Sequence, residues 1–398
     1  MIRERTGSGA GSGSITAGSA TLRTFASVAL SALAVTATAA GPASGQIGSQ
    51  IAAGVNAGLT FETYRFGDGE AIGIESVTLM TAPFGAGVRF GDAFGLSVRG
   101  AWASGSLSLA SGDESSIDGL TDTEVRASYT AGRDLVTFTA IALLPTGGDL
   151  LTADEVEVAG VVAADVLPFR ISNWGSGGGF GGSVAFAVPM GAFGTGLSVG
   201  YVTTRDWEPV ETSPSFVYRP GNQLHVTAAI DRSVGPTGKL GLRASFLTYD
   251  ADRVNDVNLY SAGNRIEATA SYAFAAGPRT SAIVWGGLHH RDAAALEDPS
   301  ANTPVSPASD ILFAGALFRM PLARGVLQPG LDIRAVSGND EAGTGYTLTA
   351  GVSAELPAGS VTLAPSVRAR FGSIEPGDGS SSGVTGLDLG MMVRYSGR

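Results

Sequence analysis

Apolar and polar residues alternate along most of this chain, from about residue 55 to the C-terminal end. In the segment NRIEATASYAF, Ile266, Tyr272 and Phe274 have even residue numbers, and Arg265 and Glu267 have odd ones. We call this odd or even alternation the parity of a position along the strand. Successive side chains of a strand point to opposite faces, so this pattern predicts strands with one apolar and one polar face. We count about sixteen such segments, with twelve to sixteen allowed by the ambiguous ones. They are residues 55–66, 77–90, 93–107, 119–131, 134–145, 177–190, 193–205, 218–233, 238–250, 262–275, 278–290, 308–320, 323–336, 342–356, 358–372 and 381–396.

The connections between these segments alternate between short and long. Short ones include GD at 91–92 and PAG at 357–359, and long ones include 108–118, 146–176 and 291–307. Such alternation places all tight turns at one end of the fold and all long loops at the other. Outer-membrane barrels have this asymmetry, with short periplasmic turns and long extracellular loops. We therefore predict an all-β fold, a transmembrane antiparallel up-and-down β-barrel that forms a single domain over residues 46–398.

Composition agrees with a barrel and excludes other classes. Charged residues make up 15% of the chain, below the roughly 25% of a typical soluble domain. The sequence has no run of about 18 apolar residues after its N-terminal region, so a helical membrane span is not expected. Cysteine is absent and the formal net charge is −11. An acidic chain without clustered Lys and Arg is not expected to bind nucleic acid, and no motif predicts a metal or other cofactor.

The N-terminal region has the pattern of an export signal. Arg3, Arg5 and Arg23 supply positive charge, and FASVALSALAV (Phe25–Val35) supplies a short apolar core followed by small residues. A membrane anchor is the alternative interpretation, but about 11 apolar residues are too few to span a bilayer. We predict that residues 1–45 are a signal peptide and leader, and that the protein lies in the outer membrane of a Gram-negative-type bacterium.

The two faces of the predicted strands differ in charge and in aromatic content. Aromatic residues on the apolar face, such as Phe90, Phe94 and Phe371, often lie near strand ends, as in the aromatic girdles of membrane barrels. The apolar face would then contact outer-membrane lipids and lipopolysaccharide, and the polar face would line the lumen. The predicted lumen-lining residues are Arg89, Arg99, Glu124, Arg126, Arg243, Arg265, Glu267, Asp332, Arg334, Arg368, Arg370, Asp388 and Arg394. These residues either bias permeation toward anions or brace the wall as ion pairs.

The longest connection, residues 146–176, is a candidate constriction. Thr152-Ala153-Asp154-Glu155 has the spacing of a capping box, which predicts a helix from about Ala153 to Leu167 that ends before Pro168. One interpretation is a loop that folds into the lumen, where Asp154, Glu155 and Glu157 would face the solute path. An external loop that packs on its neighbours, or an extra strand at EVEVAGVVAADVL, is the alternative.

Two segments resemble known outer-membrane proteins. GLTDTEVRASYTAGRDLVTFTAIALLPTGG (119–148) resembles a recurring segment of the phenol-degradation-pathway transporters and, more distantly, of the fatty-acid-transport channels. The terminal strand, with its aromatic Tyr395, is similar to the signal that the barrel-assembly machinery recognises. The resemblance implies passive uptake of small solutes, hydrophobic ones among them.

The leading hypothesis is a non-enzymatic outer-membrane channel for passive diffusion or uptake of a small-molecule solute. The alternative is a barrel with a structural or adhesion role through its loops. A barrel hydrolase is a third hypothesis, and it requires a Ser or Asp within hydrogen-bond reach of His225, His289 or His290. Because the last strand should pair with the first, near residues 55–66, the two together would close the ring.

Overall fold

The computed structural model describes residues 51–132, 135–171, 173–210, 216–297, 303–338, 343–375 and 380–397. The predicted signal peptide and leader, residues 1–45, lie outside the described residues. The helices are α1 (Gly69–Ile72) and α2 (Ala153–Val162). The strands are β1 (Ile51–Phe66), β2 (Ile74–Phe90), β3 (Phe94–Leu109), β4 (Glu114–Leu120), β5 (Thr123–Ala131), β6 (Val136–Leu144), β7 (Gly179–Met190), β8 (Phe193–Thr204), β9 (Tyr218–Arg219), β10 (Gln223–Val234), β11 (Gly238–Tyr249), β12 (Asp252–Val254), β13 (Val257–Ser261), β14 (Arg265–Ala275), β15 (Ser281–Arg291), β16 (Ala294–Leu296), β17 (Thr303–Ser306), β18 (Ser309–Leu322), β19 (Gly325–Gly338), β20 (Thr344–Ala358), β21 (Val361–Glu375) and β22 (Ser382–Gly397).

Consecutive wall strands pair antiparallel, and the last one returns to the first. β22 pairs with β1 from Ala53 opposite Gly397 to Phe66 opposite Val384. β4 and β5 both pair with β3 and together fill one position in the wall. Over the described residues the wall is therefore a closed barrel of 16 strands. The predicted fold class and the predicted pairing of the first and last strands are confirmed.

The predicted alternation of tight turns and long connections is also confirmed. Glycines begin the tight turns in the left-handed region, with φ of 59° at Gly91, 63° at Gly191 and 67° at Gly359. A residue with a Cβ rarely adopts this conformation, so the GD, GA and AG dipeptides mark the turns in the sequence.

One predicted loop, residues 108–118, is wrong. β3 continues to Leu109 and β4 begins at Glu114, so only residues 110–113 connect them. The predicted strand 119–131 is instead split into β4 and β5, and Thr121 at the break hydrogen-bonds with the backbone of Ala101. Ser and Gly residues dominate this stretch and hide its strand pattern, because small polar side chains suit both turns and the inner face of a barrel.

Burial shows which face of the wall points inward. On β1, Thr60, Glu62 and Tyr64 are buried, and the neighbouring Leu59 and Phe61 are exposed. Residues paired across neighbouring strands point to the same face, so the register identifies the inward residues of every wall strand. The outer face exposes large apolar side chains on nearly every strand. An apolar outer band around a closed sheet suits the bilayer interior, where all backbone groups must be paired. In the described part of the chain, no helix has the length and hydropathy needed to cross a membrane.

Three consecutive long connections build a second sheet. β9 follows β8, β12 and β13 follow β11, and β16 and β17 follow β15, and they assemble in the order β17-β16-β13-β12-β9. Tyr218 donates a hydrogen bond to Asp252, which also accepts one from the backbone N–H of Gly221 at 2.6 Å. Burial, and then this contact with Asp252, raises the pKa of Tyr218 above its usual range. These loops thus form an ordered five-stranded structure at the long-loop end.

Candidate functional site

The loop of residues 146–176, here called the inner loop, carries the helix α2. Thr152 caps this helix: its hydroxyl accepts a hydrogen bond from the N–H of Glu155 at 3.4 Å. The Glu155 carboxylate in turn accepts one from the N–H of Thr152 at 2.8 Å. The predicted capping box is confirmed, but the helix ends at Val162 rather than Leu167. The extra strand considered for this segment is not formed, because its first half is helical.

Apolar side chains of the inner loop are buried against the inner face of the barrel. Trp174 is 2% exposed, and its indole N–H donates to the carbonyl oxygen of Ala103 at 3.2 Å. The buried residues of this cluster, from the loop and from the wall together, are Tyr64, Phe66, Val77, Leu79, Ala103, Leu107, Ile117, Val158, Val162, Leu167, Trp174, Ile374 and Val384. The inner loop therefore lies inside the barrel, against β1–β4, β21 and β22, which we call the loop-packed sector.

A charged cluster fixes the loop to this sector. Arg170 of the inner loop donates to Asp388 at 3.1 Å, and its backbone N–H donates to Glu62 at 3.3 Å. Arg370 lies 3.6 Å from Glu62 and 3.5 Å from Asp388, with its guanidinium 5.3 Å from the centre of the Tyr64 ring. Glu62 and Asp388 are fully buried. Two buried carboxylates require compensating charge, so Arg170 and Arg370 stabilise Glu62 and Asp388, and Arg170 thereby holds the loop against the wall.

The loop also reaches β15 and β19. Arg334 donates to the carbonyl oxygen of Asp165, and Arg291 lies 3.2 Å from the Asp165 carboxylate. Within α2, Glu157 accepts a hydrogen bond from Ser115 of β4 at 3.3 Å. Contacts on opposite parts of the wall make the inner loop a bridge across part of the lumen.

The three acidic residues predicted for the solute path have different roles. Glu155 serves the helix cap, so its carboxylate is occupied by the backbone of Thr152. Glu157 bonds to the wall at Ser115. Asp154 is exposed in the first turn of α2, where a negative charge also interacts favourably with the helix dipole.

Strand register places the predicted lumen residues on the inward parity. Several of them form ion pairs along the wall: Glu124 lies 2.8 Å from Arg99 and 3.1 Å from Arg126. Near the tight-turn end, Arg394 lies 3.4 Å from Glu355, which also binds Arg319 at 3.0 Å. These ion pairs brace the inner face of the wall. The inward parity also holds Arg89, Arg243, Arg265, Glu267, Asp332, Arg334, Arg368, Arg370 and Asp388.

The wall opposite the loop-packed sector is accessible to water. On the inner faces of β10, β11 and β14, which we call the open sector, His225, Arg243, Arg265 and Glu267 are exposed. Arg265 lies over the Tyr249 ring at 5.6 Å, and its charge stays in solvent. An aqueous space therefore runs between the inner loop and this wall.

The three histidines lie in different environments. His225 contacts Thr227 on the same strand at 3.1 Å, and His289 faces inward. His290 faces outward near the long-loop end, with its ring nitrogens 2.7 Å from Asp310 and 3.1 Å from Asp292. The adjacent histidines point to opposite faces, as strand geometry predicts. The carboxylates near His290 meet the distance criterion of the hydrolase hypothesis, but they occupy both ring nitrogens on the face away from the lumen.

Comparison with known proteins gives no identity for this chain. No family model matches the chain, and no curated protein matches it. Among solved structures, OprB of Pseudomonas putida is 11% identical over 88% of this chain and 95% of that one, with a TM-score of 0.48. The outer membrane channel DcaP of Acinetobacter baumannii is 11% identical over 88% of this chain and 98% of that one, with a TM-score of 0.40. A Pseudomonas aeruginosa FadL homologue is 9% identical over 87% and 90%, with a TM-score of 0.39. Similarities this low carry no argument about the function of this chain.

Sequence reasoning missed Glu62 and Arg170, which form the charged cluster together with the predicted Arg370 and Asp388. Glu62 lies on the polar parity of the first strand, so alternation alone could have added it to the predicted inner face. Arg170 lies in an irregular part of the loop, where no periodicity indicates which wall residues it contacts.

Proposed function

We propose that this protein is a passive channel of the outer membrane that admits small solutes. The observation that supports this most directly is the contrast inside the barrel: one sector is packed by the inner loop and the other is exposed to water. Solutes would diffuse between the inner loop and the open sector, so the loop sets the width of the path. The apolar outer face would contact lipid and lipopolysaccharide, and β22 would be the strand presented to the barrel-assembly machinery.

The charge of the open sector gives the channel a preference for anions. Arg243 and Arg265 are exposed there, and Glu267 is the neighbouring acidic residue on β14. Fixed positive charge on the wall of a narrow aqueous path raises the local concentration of anions and excludes cations.

Planar-bilayer recording of the folded chain tests both statements. We expect stable conductance, and a reversal potential in a KCl gradient that has the sign of chloride preference. The double variant Arg243→Gln/Arg265→Gln should move the reversal potential toward zero. Arg232→Gln is the matched control, because Arg232 lies on the outward parity of β10, against the Phe193 ring. A bilayer that contains folded barrel and carries no current would contradict the channel proposal.

The second candidate function is adhesion through the loop sheet. It is favoured by the order of three long connections in one five-stranded sheet. The outer edge of β9 is hydrogen-bonded to Trp207, so β17 is the edge strand that could accept a partner. Unpaired strand edges are a common docking site for an extended peptide. A folded barrel that gives no conductance yet binds a surface partner would support this function over the first.

A further inference from the structure

One part of the lumen wall departs from the polar pattern. In the middle of the seam between β15 and β18, the large side chains on the inward face are apolar. They are Ile283, Trp285, Phe313 and Leu317, which we call the aromatic strip. Register places Phe313 opposite Gly287, Trp285 opposite Gly315, and Ile283 opposite Leu317. These residues follow one another from the long-loop end toward the tight-turn end, so the strip runs along the length of the lumen.

Glycines make room for the two rings. A Cβ added to Gly315 would lie 2.3 Å from the Trp285 ring, and one added to Gly287 would lie 2.5 Å from the Phe313 ring. Each ring therefore lies over a glycine of the neighbouring strand, in space that a side chain at that position would fill. This arrangement keeps the aromatic surface along the wall.

The strip is not part of the buried core. None of its four residues belongs to the cluster that packs the inner loop, and all four are partly exposed. Apolar surface left in contact with water loses the free energy that burial would provide, at roughly 25 cal/mol per Å². Contiguous exposed apolar surface in an otherwise polar setting is typical of a binding surface.

Polar and cationic groups border the strip. Ser271 lies opposite Trp285 on one side, and Asp332 lies opposite Gly315 on the other. Arginines mark both ends of the strip: Arg291 lies opposite Ser309 at the long-loop end, and Arg319 lies opposite Ser281 at the tight-turn end. Arg291 and Arg334 share Asp165, and Arg319 and Arg394 share Glu355, so each end keeps one arginine in excess of its carboxylate. A solute that fits has a flat apolar face for the rings and an anionic edge for the guanidinium groups.

We propose that the aromatic strip is a binding track for small aromatic anions, of which an aryl carboxylate is the simplest. This proposal rests on the channel function and names its preferred solute class. The ring of the solute stacks on Phe313 and Trp285 in turn, and its carboxylate passes from the neighbourhood of Arg291 to that of Arg319.

Benzoate block of KCl current tests the track. Cyclohexanecarboxylate has the same charge without a planar ring, and benzylammonium has the ring with the opposite charge. We expect benzoate to reduce the current at a concentration at least severalfold lower than either control. In the double variant Trp285→Leu/Phe313→Leu, which keeps apolar bulk, the half-blocking concentration of benzoate should rise about tenfold, as expected for the loss of two stacking contacts.

Phe318→Leu is the matched control variant, because Phe318 lies on the outward parity of β18 and is 43% exposed. Benzoate should block the current through this variant at the same half-blocking concentration as in the unmodified protein. Equal block by benzoate and cyclohexanecarboxylate, or an unchanged half-blocking concentration in the double variant, would overturn the proposal while leaving the channel function intact.

Equilibrium dialysis of labelled benzoate against the folded barrel in detergent separates the two proposals. If the bilayer carries no current, the channel proposal fails, and dialysis still decides the track. Binding that cyclohexanecarboxylate does not displace and that the double variant loses supports the track, and binding equal in both proteins overturns it.

Discussion

The loop-packed sector and the open sector are built from the same strand pattern and have opposite environments. Ala103 in the first is fully buried, and Ala229, also an inward alanine, is exposed in the second. The difference comes from the inner loop, which buries one side of the lumen wall and leaves the other to water. The wall strands thus determine the closed barrel, and the inner loop determines which side of the lumen stays open to water.

Removing the inner loop should have the largest effect on this contrast. Residues 149–174 can be replaced by a short Gly-Ser linker, because the N–H of Gly148 already donates to the carbonyl oxygen of Trp174 at 3.0 Å. Glu62→Gln and Asp388→Asn accompany the deletion, since those buried carboxylates lose Arg170. We expect single-channel conductance to rise severalfold. Deletion of the β12–β13 hairpin, which belongs to the loop sheet at the long-loop end, is the control. Unchanged conductance without the inner loop would show that this loop does not restrict the path.

Trp174 should be the side chain that contributes most to the packed side. Trp174→Ala removes a buried aromatic ring and its hydrogen bond to Ala103, which we expect to lower the free energy of unfolding by about 3–5 kcal/mol. Urea unfolding followed by electrophoretic mobility measures the loss. Trp285→Ala, a partly exposed indole on the open lumen wall, should cost clearly less. Equal losses would mean that the two tryptophans are equally packed.

Substitution of Arg170 tests the contribution of the charged cluster to the free energy of unfolding, and we expect a smaller loss than for Trp174→Ala. Arg170→Ala leaves Glu62 and Asp388 with Arg370 as their near cation, and we expect a loss of about 1–3 kcal/mol, since the Arg170 side chain is 36% exposed. Arg170→Lys should recover part of it. The control Arg243→Ala, on the open sector, should stay within about 0.5 kcal/mol of the unmodified protein. A loss as large for Arg243→Ala as for Arg170→Ala would contradict the assignment.

The wall could be predicted from sequence because its rule is local. A period of two residues and glycine at tight turns specify strands and their connections without knowledge of the partner. The alternation of apolar and polar residues is poor in the predicted strand of residues 278–290, so the sequence predicts this strand less clearly than the others. The structure explains why: Ile283 and Trp285 face the lumen and Val284 faces outward, so β15 is apolar on both faces.

The interior of the barrel could not be predicted in the same way. The contact of Arg170 with Asp388 joins residues 218 positions apart, and no local pattern encodes such a pairing. The same holds for the loop sheet, whose strands come from three separate connections. The capping box at Thr152 gave the start of α2 correctly, but its end depends on the turn at Ala163–Leu167 and on packing against the wall.

Cysteine accessibility tests the central contrast most directly, because the sequence contains no cysteine. Ala103→Cys and Ala229→Cys place the same small thiol on the inner face of the two sectors. A charged, water-soluble thiol reagent should label Ala229→Cys rapidly and leave Ala103→Cys protected until the protein is unfolded. Equal labelling of the two thiols in the folded barrel, or faster labelling of Ala103→Cys, would contradict a lumen that is packed on one side and open on the other.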